Sequence, residues 1–180
     1  MLFNLSFAGF VTVKNRCCFQ LAIASCALLV ASVAQAVSVG DLAPDCTLSS
    51  MTNGQNSTLS QFKGKIIYVD FWASWCGPCA QSFPFLNSLH KQFKDQGVQI
   101  VGVNMDEERA DANAFLAKLP ADFTVMADDS KHCAEAFAVE AMPSSYIIDR
   151  QGKVQHIHLG FRDGAAEELR ASIELLLHPK

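Results

Sequence analysis

One segment constrains the fold of this chain more than any other: an apolar stretch over residues 65–73 that leads directly into a C-x-x-C motif. The stretch carries β-branched and aromatic residues at odd and even positions alike. A strand that is apolar on both faces is typical of the centre of a sheet covered on both sides. The sequence therefore predicts a buried central strand with helices packed on it.

The rest of the chain alternates between strand-like and helix-like patterns. Short β-branched segments predict strands, apolar residues three and four apart predict helices, and turn residues such as Asn53-Gly54 separate these elements. The predicted strands cover residues 46–48, 57–59, 65–73, 98–103, 123–126, 145–149 and 154–159, and the predicted helices cover residues 78–93, 107–119, 130–137 and 165–177. This order predicts an α/β fold, a central mixed β-sheet flanked by helices with an N-terminal β-hairpin, in one domain.

The C-x-x-C motif, Cys76-Gly77-Pro78-Cys79, opens the first predicted helix. Two cysteines at this spacing can close a disulfide within one helical turn, so they can cycle between dithiol and disulfide. The unpaired N–H groups and the dipole at a helix N-terminus stabilise a thiolate at Cys76, whereas Cys79 lies deeper. Pro78 fits the first turn, where its missing N–H loses no partner. The motif predicts a redox-active disulfide with Cys76 as the nucleophile.

A C-x-x-C pair can instead be half of a structural zinc site. That interpretation needs a second pair of ligands at a suitable spacing. His132 and Cys133 are adjacent, and His156 and His158 alternate on a predicted strand, so neither pair has that spacing. We therefore favour the redox interpretation and expect no metal and no cofactor.

Asp70 stands inside the apolar strand, six residues before Cys76. An acid in such a strand is destabilising unless it is paired or protonated. If Asp70 is buried, desolvation raises its pKa toward neutrality, which suits a general base. The alternative is a solvated acid at the end of the strand, since unpaired Asp is rarely fully buried.

The N-terminal 36 residues have the order of charge and hydrophobicity of an export signal. They contain no Asp or Glu, and their two basic residues precede an apolar run over residues 17–31. The pattern Ala34-Gln35-Ala36 predicts cleavage of the signal directly after it. An uncleaved membrane anchor is the alternative, because the run is nearly as long as a bilayer span, and lipidation at Cys26 is a third option. Each option places the folded domain, residues 37–180, in the periplasm or another extracytoplasmic space.

Charge and cysteine content narrow the possible functions. The formal net charge of −4 at pH 7 comes with no basic stripe, so nucleic-acid binding is not indicated. Beyond the predicted signal the cysteines are Cys46, Cys76, Cys79 and Cys133. Exported cysteines are more often bridged or redox-active than plain core residues. Cys46 and Cys133 could form a second disulfide, but we favour free buried thiols, since nothing in the sequence shows that they approach each other.

Several segments together form a more specific pattern. They are residues 40–45 (GDLAPD), 59–65 (LSQFKGK), 69–79 (VDFWASWCGPC), 103–119 and 142–149 (MPSSYIID). The third resembles the active-site segment of the thioredoxin superfamily. All of them together resemble the exported TlpA/ResA-like thiol-disulfide oxidoreductases, and the resemblance covers nearly all of residues 40–162.

The resemblance implies a thioredoxin fold with an extra N-terminal hairpin and a central helix–strand insertion. It implies that Pro143 is a cis-proline facing the active-site sulfurs, and that Asp70 relays the proton of Cys79. Trp72 is expected in the core, and the residues expected to contact substrate are Trp75, Gly77, Pro78, Met142 and Ser144. The implied partners are disulfide-containing exported proteins and a membrane electron donor of the DsbD/CcdA type, and the protein is expected to be a monomer.

Some positions depart from related patterns. Family members dedicated to cytochrome c maturation carry an acid after the cis-proline, where this chain has Ser144, whereas Gly77-Pro78 is the thioredoxin dipeptide and favours a reductant. A thiol peroxidase of the peroxiredoxin type would need Thr at the position of Ala73. A copper-delivery protein of the Sco type would need C-x-x-x-C, which is one residue longer. We therefore favour a thiol-disulfide oxidoreductase over both alternatives.

Overall fold

Strands and helices alternate along residues 36–179, the part of the chain that our computed structural model describes. The signal predicted for residues 1–36 lies outside the described residues, except for Ala36. The strands are β1 (Thr47–Ser50), β2 (Asn56–Thr58), β3 (Ile66–Trp72), β4 (Val98–Asn104), β5 (Thr124–Ala127), β6 (Ser144–Ile148) and β7 (Val154–Leu159). The helices are α1 (Gly77–Phe93), α2 (Arg109–Lys118), α3 (His132–Ala136) and α4 (Ala165–Leu177), with 3₁₀ turns at Leu59–Phe62 and Lys94–Gln96.

Over these residues the strands form one mixed sheet in the order β2-β1-β5-β4-β3-β6-β7. The central strand β3 pairs in parallel with β4 and antiparallel with β6, and all seven of its residues are buried. β1 and β2 form the N-terminal hairpin, and β1 joins the sheet through β5. The predicted α/β fold, with its buried central strand and its hairpin, is confirmed.

Apolar side chains cover both faces of β3, which is why its sequence does not alternate. On one face Tyr68 and Trp72 pack with α1 and α4, and the Phe115 ring of α2 lies 4.9 Å from Trp72 between ring centroids. On the other face Phe71 packs against Phe137, with ring centroids 5.4 Å apart, and against Tyr146 of β6. Each face buries its own cluster, so the sheet is the middle layer of three.

Cys46 and Cys133 are joined by a disulfide, with their Cα atoms 5.2 Å apart. The favoured prediction of two free thiols is therefore wrong. The bond links the segment before β1 to α3 across 87 residues of chain. Closing a loop of this length restricts the unfolded chain and stabilises the folded state by about 4.6 kcal/mol in the loop-entropy treatment.

No helix among residues 36–179 combines the length and the apolar character needed to cross a membrane.

Candidate active site

Cys76 and Cys79 form a disulfide at the point where the chain leaves β3 and begins α1. Cys76 is the N-cap residue of α1, and its Sγ accepts a hydrogen bond from the backbone N–H of Cys79 at 3.2 Å. Pro78 lies in the first helical turn, as its ring geometry allows. A backbone N–H and the positive end of the helix dipole therefore both point at the Cys76 sulfur, and both stabilise negative charge there.

The two cysteines differ in their access to solvent. Cys76 retains 5% of its surface and Cys79 retains none. Around them Trp75 is 72% exposed, and Gly77 and Pro78 are also at the surface. Of the two cysteines, only Cys76 therefore has accessible surface beside this rim of exposed residues.

In the reduced protein we expect iodoacetamide to label Cys76 before Cys79 at neutral pH. A thiol at a helix N-terminus has a lowered pKa and is the better nucleophile, and Cys79 has no exposed surface. Both cysteines fall within one tryptic peptide, so tandem mass spectrometry must locate the label. The matched control is Cys76→Ser, in which Cys79 should stay unlabelled until the protein is denatured; earlier labelling of Cys79 in the wild type would contradict the assignment.

The loop between β3 and α1 is held by Asp106, a residue that the sequence analysis did not single out. Its carboxylate accepts hydrogen bonds from Ser74, through the backbone N–H at 3.0 Å and the hydroxyl at 2.8 Å, and from Asn104 Nδ2 at 2.7 Å. Lys131 Nζ donates to the carbonyl oxygens of Met105 and Asp106. These bonds fix the segment that carries Trp75 and Cys76. The sequence does contain a signal for Asp106, because Asn104 and Asp106 are polar residues that follow the predicted strand over residues 98–103. Parallel strands end at the same edge of a sheet, so residues after this strand lie near the C-x-x-C loop that follows β3.

Asp70 is buried in the middle of the sheet, with 1% of its surface exposed. It lies opposite Ser145 of β6 in the antiparallel register, and Ser145 Oγ donates a hydrogen bond of 2.6 Å to Asp70 Oδ1. Tyr68 donates in turn to Ser145 Oγ at 2.9 Å. The second carboxylate oxygen, Oδ2, has no hydrogen-bond partner among the described residues.

Burial raises the pKa of Asp70 from 3.8 to about 7, and the hydrogen bond from Ser145 offsets part of this effect. Alternate residues of a strand share one face, so Asp70 points to the same side as Tyr68 and Trp72. That side holds the cluster in which Cys76 and Cys79 are buried. Asp70 is therefore a carboxyl group with a pKa near neutral pH, and it lies on the face of the sheet where both cysteines are buried. The alternative of a solvated acid at the strand end does not fit this burial.

Pro143 directly precedes β6, and the Met142–Pro143 peptide bond is cis. The start of β6 lies beside the end of β3, because Ser144 pairs with Phe71. The structure thus brings Pro143 to the sheet edge that carries the C-x-x-C loop. Met142 is half-buried against the cluster that contains both cysteines. Ser144, in contrast, is fully buried, and its hydroxyl donates to the carbonyl of Ala141 at 2.7 Å, so its side chain has no accessible surface in this structure.

The chain is similar to known proteins along most of its length. The Redoxin family matches residues 38–173. Thiol-disulfide oxidoreductase ResA of Bacillus subtilis (strain 168) is 35% identical over 126 residues, 70% of this chain and 70% of the relative. ResA of Geobacillus thermodenitrificans is 34% identical over 125 residues, 69% of this chain and 71% of the relative. A Chlorobium tepidum structure, provisionally described as a thiol:disulfide interchange protein DsbE, superimposes with a TM-score of 0.76 at 43% identity, covering 79% of this chain and 100% of that one.

Proposed function

This chain belongs to the redoxin family of the thioredoxin superfamily and is a thiol-disulfide oxidoreductase of the ResA type, and from that premise we propose that it reduces disulfides in exported proteins through Cys76 and Cys79. The observation that carries the proposal is the placement of Cys76 as the N-cap of α1, with the Cys79 N–H aimed at its sulfur.

The proposed reaction has two exchange steps. The Cys76 thiolate attacks one sulfur of the substrate disulfide, which forms a mixed disulfide and releases the other substrate sulfur as a thiolate. Asp70 then accepts the proton of Cys79, and the Cys79 thiolate attacks Cys76. The substrate leaves with two reduced sulfurs, and the protein keeps the Cys76–Cys79 disulfide. A carboxyl group with a pKa of about 7 suits this base role, because it is ionised in part of the population at neutral pH.

Substrate binding in this proposal uses the exposed rim of the disulfide. Trp75, Gly77 and Pro78 provide the surface next to Cys76, and half-buried Met142, which precedes the cis-proline Pro143, provides the facing side. An extended substrate chain can pair with exposed backbone, so this mode requires little of the substrate's side chains. It fits a reductant that accepts many proteins.

The oxidised protein must be reduced again before another cycle. We propose a membrane electron donor of the DsbD/CcdA type, reached in the periplasm or another extracytoplasmic space, in keeping with the export signal predicted for residues 1–36. We propose that the protein acts as a monomer, since the reaction needs only groups within one chain.

The test is reduction of insulin with dithiothreitol as the electron source. We expect the wild-type protein to accelerate insulin precipitation and Cys76→Ser to show only the rate of dithiothreitol alone. The control is a variant in which Cys46 and Cys133 are both alanine, which should keep the activity if it is folded by circular dichroism. A parallel assay of peroxide consumption should be negative, which separates the protein from a thiol peroxidase. A protein that consumes peroxide but does not accelerate insulin reduction would contradict the proposal.

A further inference from the structure

Two histidines of β7 and one glutamate of α4 converge outside the residues assigned to disulfide exchange. His156 and His158 are two positions apart on an edge strand, so their side chains lie on the same face of the sheet. Glu168 comes from the first turn of α4, which packs on that face. In the sequence, these histidines lack the spacing to complete a zinc site with Cys76 and Cys79. The fold pairs them with a carboxylate instead.

The spacing of the three ligand atoms fits a tetrahedral zinc ion. His156 Nε2 lies 3.2 Å from Glu168 Oε1, and His158 Nδ1 lies 3.6 Å from the same oxygen. The ligand atoms of the three residues are all within 4.8 Å of one another. Zinc bonds of about 2.0–2.2 Å at tetrahedral angles place neighbouring ligand atoms about 3.3 Å apart. Small side-chain adjustments would therefore complete the geometry.

The environment of His156 is an independent indication. Its Nε2 atom is shielded from solvent and has no hydrogen-bond partner, although Glu168 Oε1 is 3.2 Å away. The contact is close enough for a hydrogen bond but does not have its alignment. Two ligand atoms of one metal ion are related in this way, because each directs its lone pair at the ion and not at the other ligand. A buried ring nitrogen without a partner is uncommon, and a bound ion would give it one.

We propose that His156 Nε2, His158 Nδ1 and the Glu168 carboxylate bind Zn²⁺, with water in the fourth position. Two imidazoles and a carboxylate are common zinc ligands, and nitrogen donors disfavour Mg²⁺ and Ca²⁺. Glu168 is half-exposed, so the ion has a path from solvent. The bound ion ties the last helix to an edge strand of the sheet.

The test is titration of the oxidised full-length protein with Zn²⁺ by calorimetry, after free thiols have been alkylated so that cysteines do not compete. We expect one ion per chain. His156→Gln and His158→Gln should each weaken binding by more than about tenfold, since each removes a direct ligand. His132→Gln is the matched control, because His132 is an exposed histidine that lies 3.9 Å from Glu135. Its affinity for Zn²⁺ should equal that of the wild type.

Two further measurements keep the result decisive. Co²⁺ in place of Zn²⁺ should give visible absorption bands in the wild type that are absent in His158→Gln. If circular dichroism shows that a histidine variant is not folded, Glu168→Gln replaces it. Glu168 is half-exposed, and Gln has nearly the same size and shape as Glu, so this variant should fold. Absence of Zn²⁺ binding by the wild type, or unchanged affinity in folded variants of this cluster, would overturn the proposal.

Discussion

Cys79→Ser should stop disulfide reduction after the first exchange step and leave Cys76 covalently bound to the substrate. The variant keeps the nucleophile and its helix N-terminus but lacks the sulfur that resolves the mixed disulfide. We expect insulin reduction to fall to the rate of the chemical reductant alone. A protein adduct that disappears on treatment with excess dithiothreitol should accumulate, and non-reducing electrophoresis and mass spectrometry measure it.

Cys76→Ser is the matched control for this experiment. It should be equally inactive but form no adduct, because Cys79 has no exposed surface from which to attack a substrate. The asymmetry between the two variants separates the nucleophile from the resolving cysteine. Equal amounts of adduct in both variants, or turnover by Cys79→Ser, would show that the two roles are assigned incorrectly.

Asp70→Asn should make the protein more stable at neutral and alkaline pH while slowing the second exchange step. The pKa of Asp70 is about 7 in the folded state and 3.8 when solvated, so the folded protein binds an additional proton between these values. The contribution of Asp70 to the free energy of unfolding therefore falls as pH rises from about 4 to about 7 and is level above that. Since one pKa unit corresponds to about 1.4 kcal/mol, ionised Asp70 lowers the free energy of unfolding by about 4 kcal/mol above pH 7.

Urea denaturation of the oxidised protein at several pH values measures the stability effect. The quantity to compare is the difference in unfolding free energy between wild type and Asp70→Asn, because other titrating groups cancel in it. The difference should be small near pH 4 and grow until about pH 7. Asp95→Asn, at an exposed position in the 3₁₀ turn after α1, is the control and should show no such trend. A difference that does not change with pH would contradict the burial argument.

Ser145→Ala provides a second variant for the same group. Its hydroxyl donates to Asp70 and lowers the pKa of that carboxyl, so its removal should move the pH dependence of the unfolding free energy to higher pH.

The proton-transfer role of Asp70 is tested by the rate at which the mixed disulfide is resolved. Asp70→Asn should slow release of the mixed disulfide by roughly 10²-fold at pH 7, the lower end for a general base. Release at the wild-type rate would leave Asp70 without a part in proton transfer.

The features that could be predicted from the sequence are those that depend on residues close together in the chain. The apolar run of β3 and the C-x-x-C motif at the start of α1 are local patterns, and the burial of a strand or the start of a helix depends mainly on such patterns. The burial of Asp70 could be inferred in the same way, because residues on both sides of it are apolar.

Contacts between distant residues were decided by the tertiary structure. The disulfide between Cys46 and Cys133 joins residues 87 apart, and no local pattern shows that α3 meets the segment before β1. The hydrogen bond from Ser145 to Asp70 depends on the register of β6 against β3, and a shift of one residue would turn Ser145 to the other face. Register and the packing of a helix on a sheet are set by the whole core. The sequence therefore determined the elements and the placement of the C-x-x-C motif at the start of α1, whereas the fold determined the partners of the buried acid.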